Sequence, residues 1–123
     1  MRAALALAAL LAAGAASAQE IASAPGGVVR ALDKVSGETV DIDIGRGQAM
    51  QIWRLTIQID ECRYRTADPS AEAWAHLTIR DSLLPNPVFF GWMIASSPGL
   101  SAMDHARYDV WVLHCSTDSA SGR

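Results

Sequence analysis

The stretch IWRLTIQID, residues 52–60, alternates apolar and polar side chains from Trp53 to its end. Its apolar side chains share one parity and are Trp53, Leu55, Ile57 and Ile59. Because successive side chains of a strand point to opposite faces, the pattern predicts a β-strand with one face in the core. Cys62 follows with the parity of the polar face, so we predict a β-bulge near Asp60 and Glu61 that turns its side chain inward.

Similar patterns extend along the chain. The other predicted strands are residues 28–33, 38–44, 74–81, 88–95 and 108–113. Residues 88–95 and 108–113 are apolar on both parities, which predicts strands covered on both faces. Only residues 97–104 resemble a helix, with Ser97, or Ser101 together with Asp104, as its cap. The sequence therefore predicts an all-β domain, a small sandwich or barrel of antiparallel strands with one short helical turn.

The N-terminus has the features of a secretory signal peptide. Arg2 precedes an apolar run over residues 3–13, and the small residues 16–18 form a cleavage site after Ala18. The run is too short to span a hydrocarbon core of about 30 Å. We expect removal of residues 1–18 and export, with no transmembrane segment in the mature chain.

The mature chain divides by composition into three parts. Residues 19–26 are small and polar and predict a flexible leader, and residues 116–123 predict a disordered tail. Residues 27–115 between them predict one β domain without repeats.

The chain has two cysteines, Cys62 and Cys115. In a small exported domain an even count predicts a disulfide, and the spacing of a redox-active C-x-x-C motif is absent. Free or intermolecular thiols are the alternative.

Charge argues against two classes of partner, nucleic acids and anionic membranes. Lys and Arg number 10 against 13 Asp and Glu, and the formal net charge is −3. The basic residues are scattered, so the cationic surface that nucleic acids require is missing, and an anionic membrane is an equally poor partner. The sequence does not indicate an oligomeric state.

The densest polar cluster lies between the last two predicted strands. Its candidate binding residues are Ser96, Ser97, Asp104, His105, Tyr108 and Asp109. Rigidly framed loops often hold functional surfaces, so we expect a binding surface here. The alternative is a small hydrolase in which Ser101 or Ser97 is the nucleophile and His105 the base, although the G-x-S-x-G motif is absent.

Trp74 is the other candidate binding residue, because it shares its parity with polar side chains. An exposed Trp among polar neighbours is a typical platform for a sugar ring or a protein partner. The three histidines, His76, His105 and His114, lack the short spacing of metal ligands. We therefore predict no metal and no cofactor, and assign no catalytic residue.

Four segments carry a resemblance to a known family. They are RALDKVSG (residues 30–37), ECRY (61–64), HLTIRD (76–81) and GWMIASSPGLSAMDHARYDVWVLHC (91–115). On these segments the chain resembles the DUF2155 family, small exported proteins of alphaproteobacteria without an established activity. The resemblance implies the periplasm of a Gram-negative bacterium.

These observations favour a non-enzymatic function. We expect a periplasmic accessory or interaction module that binds another envelope protein or a glycan. A purely structural factor, in which these residues only hold the fold, is a further alternative.

Overall fold

The computed structural model describes residues 20–117, which form two antiparallel β-sheets packed against each other. The strands are β1 (Ile21–Ser23), β2 (Gly26–Asp33), β3 (Thr39–Gly45), β4 (Ala49–Ile52), β5 (Leu55–Arg65), β6 (Asp68–Asp81), β7 (Phe89–Ile94) and β8 (Tyr108–Ser116). One 3₁₀ turn, Pro98–Ser101, lies between β7 and β8. The predicted all-β class with one short helical turn is confirmed.

The larger sheet has the order β1-β5-β6-β7, and β4 pairs with β5 on the side of β1. The smaller sheet has the order β3-β2-β8. An isolated parallel bridge between Arg46 and Ile59 connects the two sheets at one corner. The architecture is therefore a small β-sandwich.

The core lies between the sheets and follows the alternation in the sequence. Fully buried side chains of the larger sheet include Leu55, Ile57, Ile59, Leu77 and Ile79, and those of the smaller sheet include Val29, Ala31, Val110 and Val112. Apolar burial at alternate positions is the main driving force for this packing.

A disulfide between Cys62 of β5 and Cys115 of β8 joins the two sheets, with a Cα–Cα distance of 5.7 Å. The register of β5 against β6 shifts between Ile59 and Glu61, and Cys62 is fully buried. The predicted bulge and the predicted disulfide are both confirmed.

Residues 52–60 do not form one strand, which corrects the first prediction. β4 ends at Ile52 and β5 begins at Leu55, so Trp53 and Arg54 form the turn of a hairpin. Trp53 has a φ of 53°, in the region where hairpin turns prefer Gly or Asn. Because Trp53 is not a typical turn residue, the sequence did not predict a turn at this position.

Both predicted flexible ends are ordered where they are described. Ile21 of β1 pairs with Arg65 of β5, and Ala24 is buried, so the leader forms part of the sandwich. Ser116 belongs to β8, and Thr117 is buried. The predicted signal peptide with its cleavage site after Ala18, and residues 118–123 of the predicted tail, lie outside the described residues.

The prediction that residues 88–95 are covered on both faces is wrong. β7 is the last strand of its sheet, and Phe90 is 72% exposed and Trp92 39% exposed. In β8, likewise, only alternate residues are buried up to residue 113. Ser97 precedes the 3₁₀ turn, but its side chain makes no capping hydrogen bond, and the turn ends at Ser101 before reaching Asp104.

Candidate functional site

The outer face of the larger sheet carries a cluster of aromatic and cationic side chains. Trp74 of β6 pairs with Arg63 of β5 on one side, and His76 pairs with Trp92 of β7. Because their inward-facing neighbours are buried, these side chains point away from the core. The sequence placed Trp74 on this face, and the structure agrees.

A groove of about 250 Å³ is lined by Ile21, Arg63, Trp74 and Trp92; we call it the Trp–Arg groove. The Cζ of Arg63 lies 4.9 Å from the ring centroid of Trp92. The Cζ of Arg65 lies 5.4 Å from the ring centroid of Trp74. Both are cation–π distances, so each indole ring holds one guanidinium group in place.

Within residues 20–117, Arg63 and Arg65 form no salt bridge, although Arg65 lies close enough to Glu72 for its charge to act on that carboxylate. The Nε of Arg65 is buried without a hydrogen-bond partner. A guanidinium presents a planar set of donors that matches a carboxylate. The groove can therefore bind an apolar group beside a negatively charged one.

A carboxylate network fixes the aromatic rings beside the groove. Asp60 accepts hydrogen bonds from His76 Nδ1 and Thr78 Oγ1, both at 2.7 Å, and from Gln58 Nε2 at 2.7 Å. Burial raises the pKa of Asp60, but these hydrogen bonds outweigh burial and hold that pKa below its usual range. The result is a carboxylate that orients the His76 ring.

The His76 ring makes edge-to-face contacts with two aromatic rings of β7. Its centroid lies 4.7 Å from that of Phe90 and 5.3 Å from that of Trp92. Edge-to-face contacts of this kind stabilise a defined ring orientation. The exposed aromatic side chains of β7 are thus held in position before any ligand arrives.

The predicted loop cluster is divided between the two ends of β6. The Ser96 hydroxyl and backbone N–H both donate to Glu72, near the start of β6. His105 contacts Asp81, the last residue of β6. Glu72 and Asp81 are about 30 Å apart along a strand of this length, so the cluster does not converge on one site.

His105 is engaged through both ring nitrogens. Nε2 lies 2.8 Å from Asp81 Oδ2, and Nδ1 accepts hydrogen bonds from the backbone N–H groups of Arg107 and Tyr108. No hydrogen bond joins His105 to Ser97 or Ser101 in the described part of the chain. The geometry therefore does not support the hydrolase alternative, because its base has no contact with a nucleophile.

Asp81 is the centre of this second network and is buried. A hydrogen bond from the Leu83 backbone N–H, followed by those from His105 and Arg54, lowers the pKa of Asp81 to about 2. Asp33, at the end of β2, accepts a bidentate pair from Arg107. Asp33 thus connects the end of β2, and Asp81 the end of β6, to the segment that precedes β8.

The remaining predicted loop residues have separate positions. Tyr108 is 2% exposed and stacks on Trp53 at 5.4 Å. Asp109 accepts a hydrogen bond from the backbone of Val110. Asp104 and Ser96 are exposed, and Ser97 is half-buried. Tyr108 and His105 thus make contacts that stabilise the fold, whereas Trp74 lies in the Trp–Arg groove.

Sequence reasoning missed the groove residues Ile21, Arg63 and Trp92, and it missed Arg65, which packs on Trp74. The available signal was the predicted bulge, which changes the parity of Arg63 and Arg65. The sequence of β7 is apolar on both parities and gave no signal for Trp92. Among residues 20–117, no group of three or more His, Cys, Asp or Glu side chains could hold a metal ion. None of the helices in that range has the length and apolarity needed to cross a membrane.

Comparisons with known proteins agree with the resemblance in the sequence. The family described as "Uncharacterized protein conserved in bacteria (DUF2155)" matches residues 27–115. The chain is similar to "Uncharacterized protein RP359" of Rickettsia prowazekii (strain Madrid E), with 26% identity over 93 residues. This match covers 72% of the chain but 59% of the relative, so the chain spans less than two thirds of that protein. No solved structure matches.

Proposed function

The chain belongs to the DUF2155 family of uncharacterised bacterial proteins, and from this premise we propose that it is an exported, non-enzymatic interaction module of the Gram-negative cell envelope. The single observation that carries the proposal is the Trp–Arg groove, in which Trp92 holds Arg63 and Arg63 forms no salt bridge with a carboxylate among residues 20–117. Trp and Arg dominate the energetics of protein interfaces when both are buried by a partner.

The chemistry of the groove favours a protein over a glycan. A sugar ring stacks on an open aromatic face, whereas Arg63 covers a face of Trp92 and Arg65 covers a face of Trp74. The partner that fits is a protein with an acidic side chain beside an apolar one. The carboxylate would accept hydrogen bonds from Arg63, and the apolar side chain would enter the groove beside Ile21.

The proposal that the protein is exported rests on its N-terminal sequence. The charged start, short apolar run and small residues before position 19 predict cleavage after Ala18. We expect the protein in the periplasmic fraction, with Gln19 as its first residue by N-terminal sequencing. Recovery of the chain in the cytoplasm with Met1 still present would contradict the proposed location.

The binding proposal is tested by crosslinking and affinity purification from the native envelope. We expect one recurrent partner with wild-type protein, its loss in the Trp74→Ala and Arg63→Glu variants, and its retention in Val35→Ala. Val35 is the matched control, because it is 76% exposed in the turn between β2 and β3. A partner that the Arg63→Glu variant retains, or one released by glycan digestion, would overturn the proposal of an acidic protein partner.

A further inference from the structure

Among residues 20–117, no strand pairs with the outer edge of β7 in the larger sheet. β7 is the last strand in the order β1-β5-β6-β7. The N–H of Ala95, directly after β7, donates to the carbonyl of Ala73. Because backbone groups alternate in direction along an antiparallel pair, the N–H groups of Gly91 and Met93 also face β6. The N–H and C=O groups of Phe90 and Trp92 therefore face away from the sheet.

This edge lacks the usual protection against strand pairing. β7 has the sequence FFGWMI, without a charge or a proline. Among the other outer strands, β1 has 3 residues, β4 has 4 residues, and β3 carries Asp41 and Asp43. β8 carries a charge at its second residue, Asp109, which lies beside Pro98, Gly99 and Ala102. Short strands and charged side chains are the common devices against edge-to-edge association, and β7 has neither.

Gly91, at the middle of β7, points to close approach by another backbone. A Cβ atom there would meet only the Phe89 ring, at 3.7 Å, which is an ordinary contact, and Gly91 does not have a positive φ. Neither packing nor backbone conformation in the single chain therefore requires glycine. Glycine within a strand weakens it and often marks a site where another backbone lies close.

We propose that β7 pairs antiparallel with β7 of a second copy of this chain, about a two-fold axis through Gly91. In this register Phe90 of each copy exchanges both N–H···O bonds with Trp92 of the other copy. The two Gly91 residues face each other as the closely spaced, non-hydrogen-bonded pair. A second copy suits this edge because β7 is uncharged and exposed leucines flank it, so two copies meet without charge repulsion and bury apolar surface. Cyclic two-fold dimers are also the commonest symmetric oligomers.

The surroundings of β7 suit this pairing. Leu83 and Leu84, which precede the strand, are 69% and 51% exposed, and Leu100, which follows it, is 76% exposed. Antiparallel pairing brings the start of one β7 beside the end of the other, so these exposed leucines would approach each other. β7 itself carries no charge, so no like charges would face each other along the paired strands.

The dimer is independent of the proposed envelope partner. Trp74→Ala and Arg63→Glu alter the Trp–Arg groove but not β7, so both variants are expected to remain dimeric while they lose the envelope partner. Phe90 contacts His76 beside the groove, so its variants test the dimer and not the partner.

The test is sedimentation analysis of the purified chain over a wide range of concentration. We expect a reversible dimer of the wild-type protein, and amide exchange at Phe90 and Trp92 that slows as the concentration rises. Phe90→Lys places a charge on the edge and is expected to give a monomer. Phe90→Pro removes the outward N–H without adding a charge, and proline is tolerated on edge strands. It is also expected to give a monomer.

Val35→Lys is the matched control, because Val35 is as exposed as Phe90 but lies in a turn of the other sheet. It is expected to remain dimeric. Circular dichroism and thermal unfolding establish that each variant is folded. A wild-type protein that stays monomeric at every concentration, or a dimer that survives both Phe90 substitutions, would overturn the proposal.

Discussion

Asp81 Oδ2 and His105 Nε2 are 2.8 Å apart, and this contact joins the last residue of β6 to the segment that leads into β8. The His105 side chain is 5% exposed and that of Asp81 is 1% exposed. Asp81 also accepts hydrogen bonds from the backbone of Leu83 and from Arg54. His105, the base of the hydrolase alternative, thus helps to connect the two sheets at one end of the sandwich.

Stability should fall in acid because Asp81 must be ionised to accept these hydrogen bonds. Its pKa is about 2 in the folded chain, against a usual value of 3.8. A carboxylate with a lowered folded pKa stabilises the fold above its unfolded pKa and loses that contribution as the pH falls through the folded pKa. We expect the melting temperature to drop between about pH 4 and pH 2, measured by circular dichroism.

The Asp81→Asn variant isolates this residue from the other carboxylates. It should melt several degrees below the wild type at neutral pH, and the difference should shrink as the pH approaches 2. Asp41→Asn is the control, because Asp41 pairs with Arg30 on the surface, where ion pairs contribute little. An unchanged difference across the acid range would contradict the role assigned to Asp81.

Removal of the disulfide should strongly destabilise the sandwich. The bond closes a loop with a sequence separation of 53 between β5 and β8. Closing such a loop lowers the entropy of the unfolded chain and contributes about 4 kcal/mol to the free energy of unfolding. We expect urea denaturation of the Cys62→Ala/Cys115→Ala double variant to show a loss of this size. A loss below about 1 kcal/mol would contradict the constraint that we assign to the bond.

Gly26→Ala should also destabilise the fold. A Cβ atom at Gly26 would lie 2.5 Å from the carbonyl oxygen of Ile44, a backbone atom of the paired strand β3. β2 and β3 would have to separate near the disulfide, at a cost of about 1–3 kcal/mol. Gly99→Ala is the control, because no atom lies within 4 Å of a Cβ there. Equal urea midpoints for the two variants would contradict the close strand contact.

The fold class was predictable because burial follows the alternation of apolar residues in β3, β5 and β6. The bulge before Cys62 was predictable from parity, since a cysteine on the polar parity must turn inward to form its disulfide. The ordered residues 21–24 were not predictable, because the pairing of Ile21 with Arg65 depends on a strand that is distant in sequence.

The candidate site was predictable only in part. Trp74 stood out because its neighbours on the same parity are polar. Trp92 did not, because β7 is apolar on both parities, and the local sequence does not reveal that one of its faces is exposed. That depends on the position of β7 at the end of its sheet. Arg63 and Arg65 were within reach of sequence reasoning, because the predicted bulge shifts both onto the face of Trp74.

The turn at Trp53 offers a test of how packing overrides local preference. Only Trp53 has a positive φ among the two central residues of this hairpin turn, which is the position where glycine is preferred. Stacking on Tyr108 at 5.4 Å holds the ring against the core. Trp53→Gly would relieve about 1–2 kcal/mol of backbone strain but would lose the packing and stacking of a large ring, which is worth more. We therefore expect a net loss of about 1 kcal/mol in the free energy of unfolding.

A double-mutant cycle separates the two contributions. In a Tyr108→Ala background, Trp53→Gly should cost less than in the wild type, by about 0.5–1.5 kcal/mol, because the stacking partner is already absent. Urea denaturation of the four proteins measures this coupling. If Trp53→Gly instead stabilises the wild-type protein, backbone strain exceeds the stacking energy, and Tyr108 does not hold the turn.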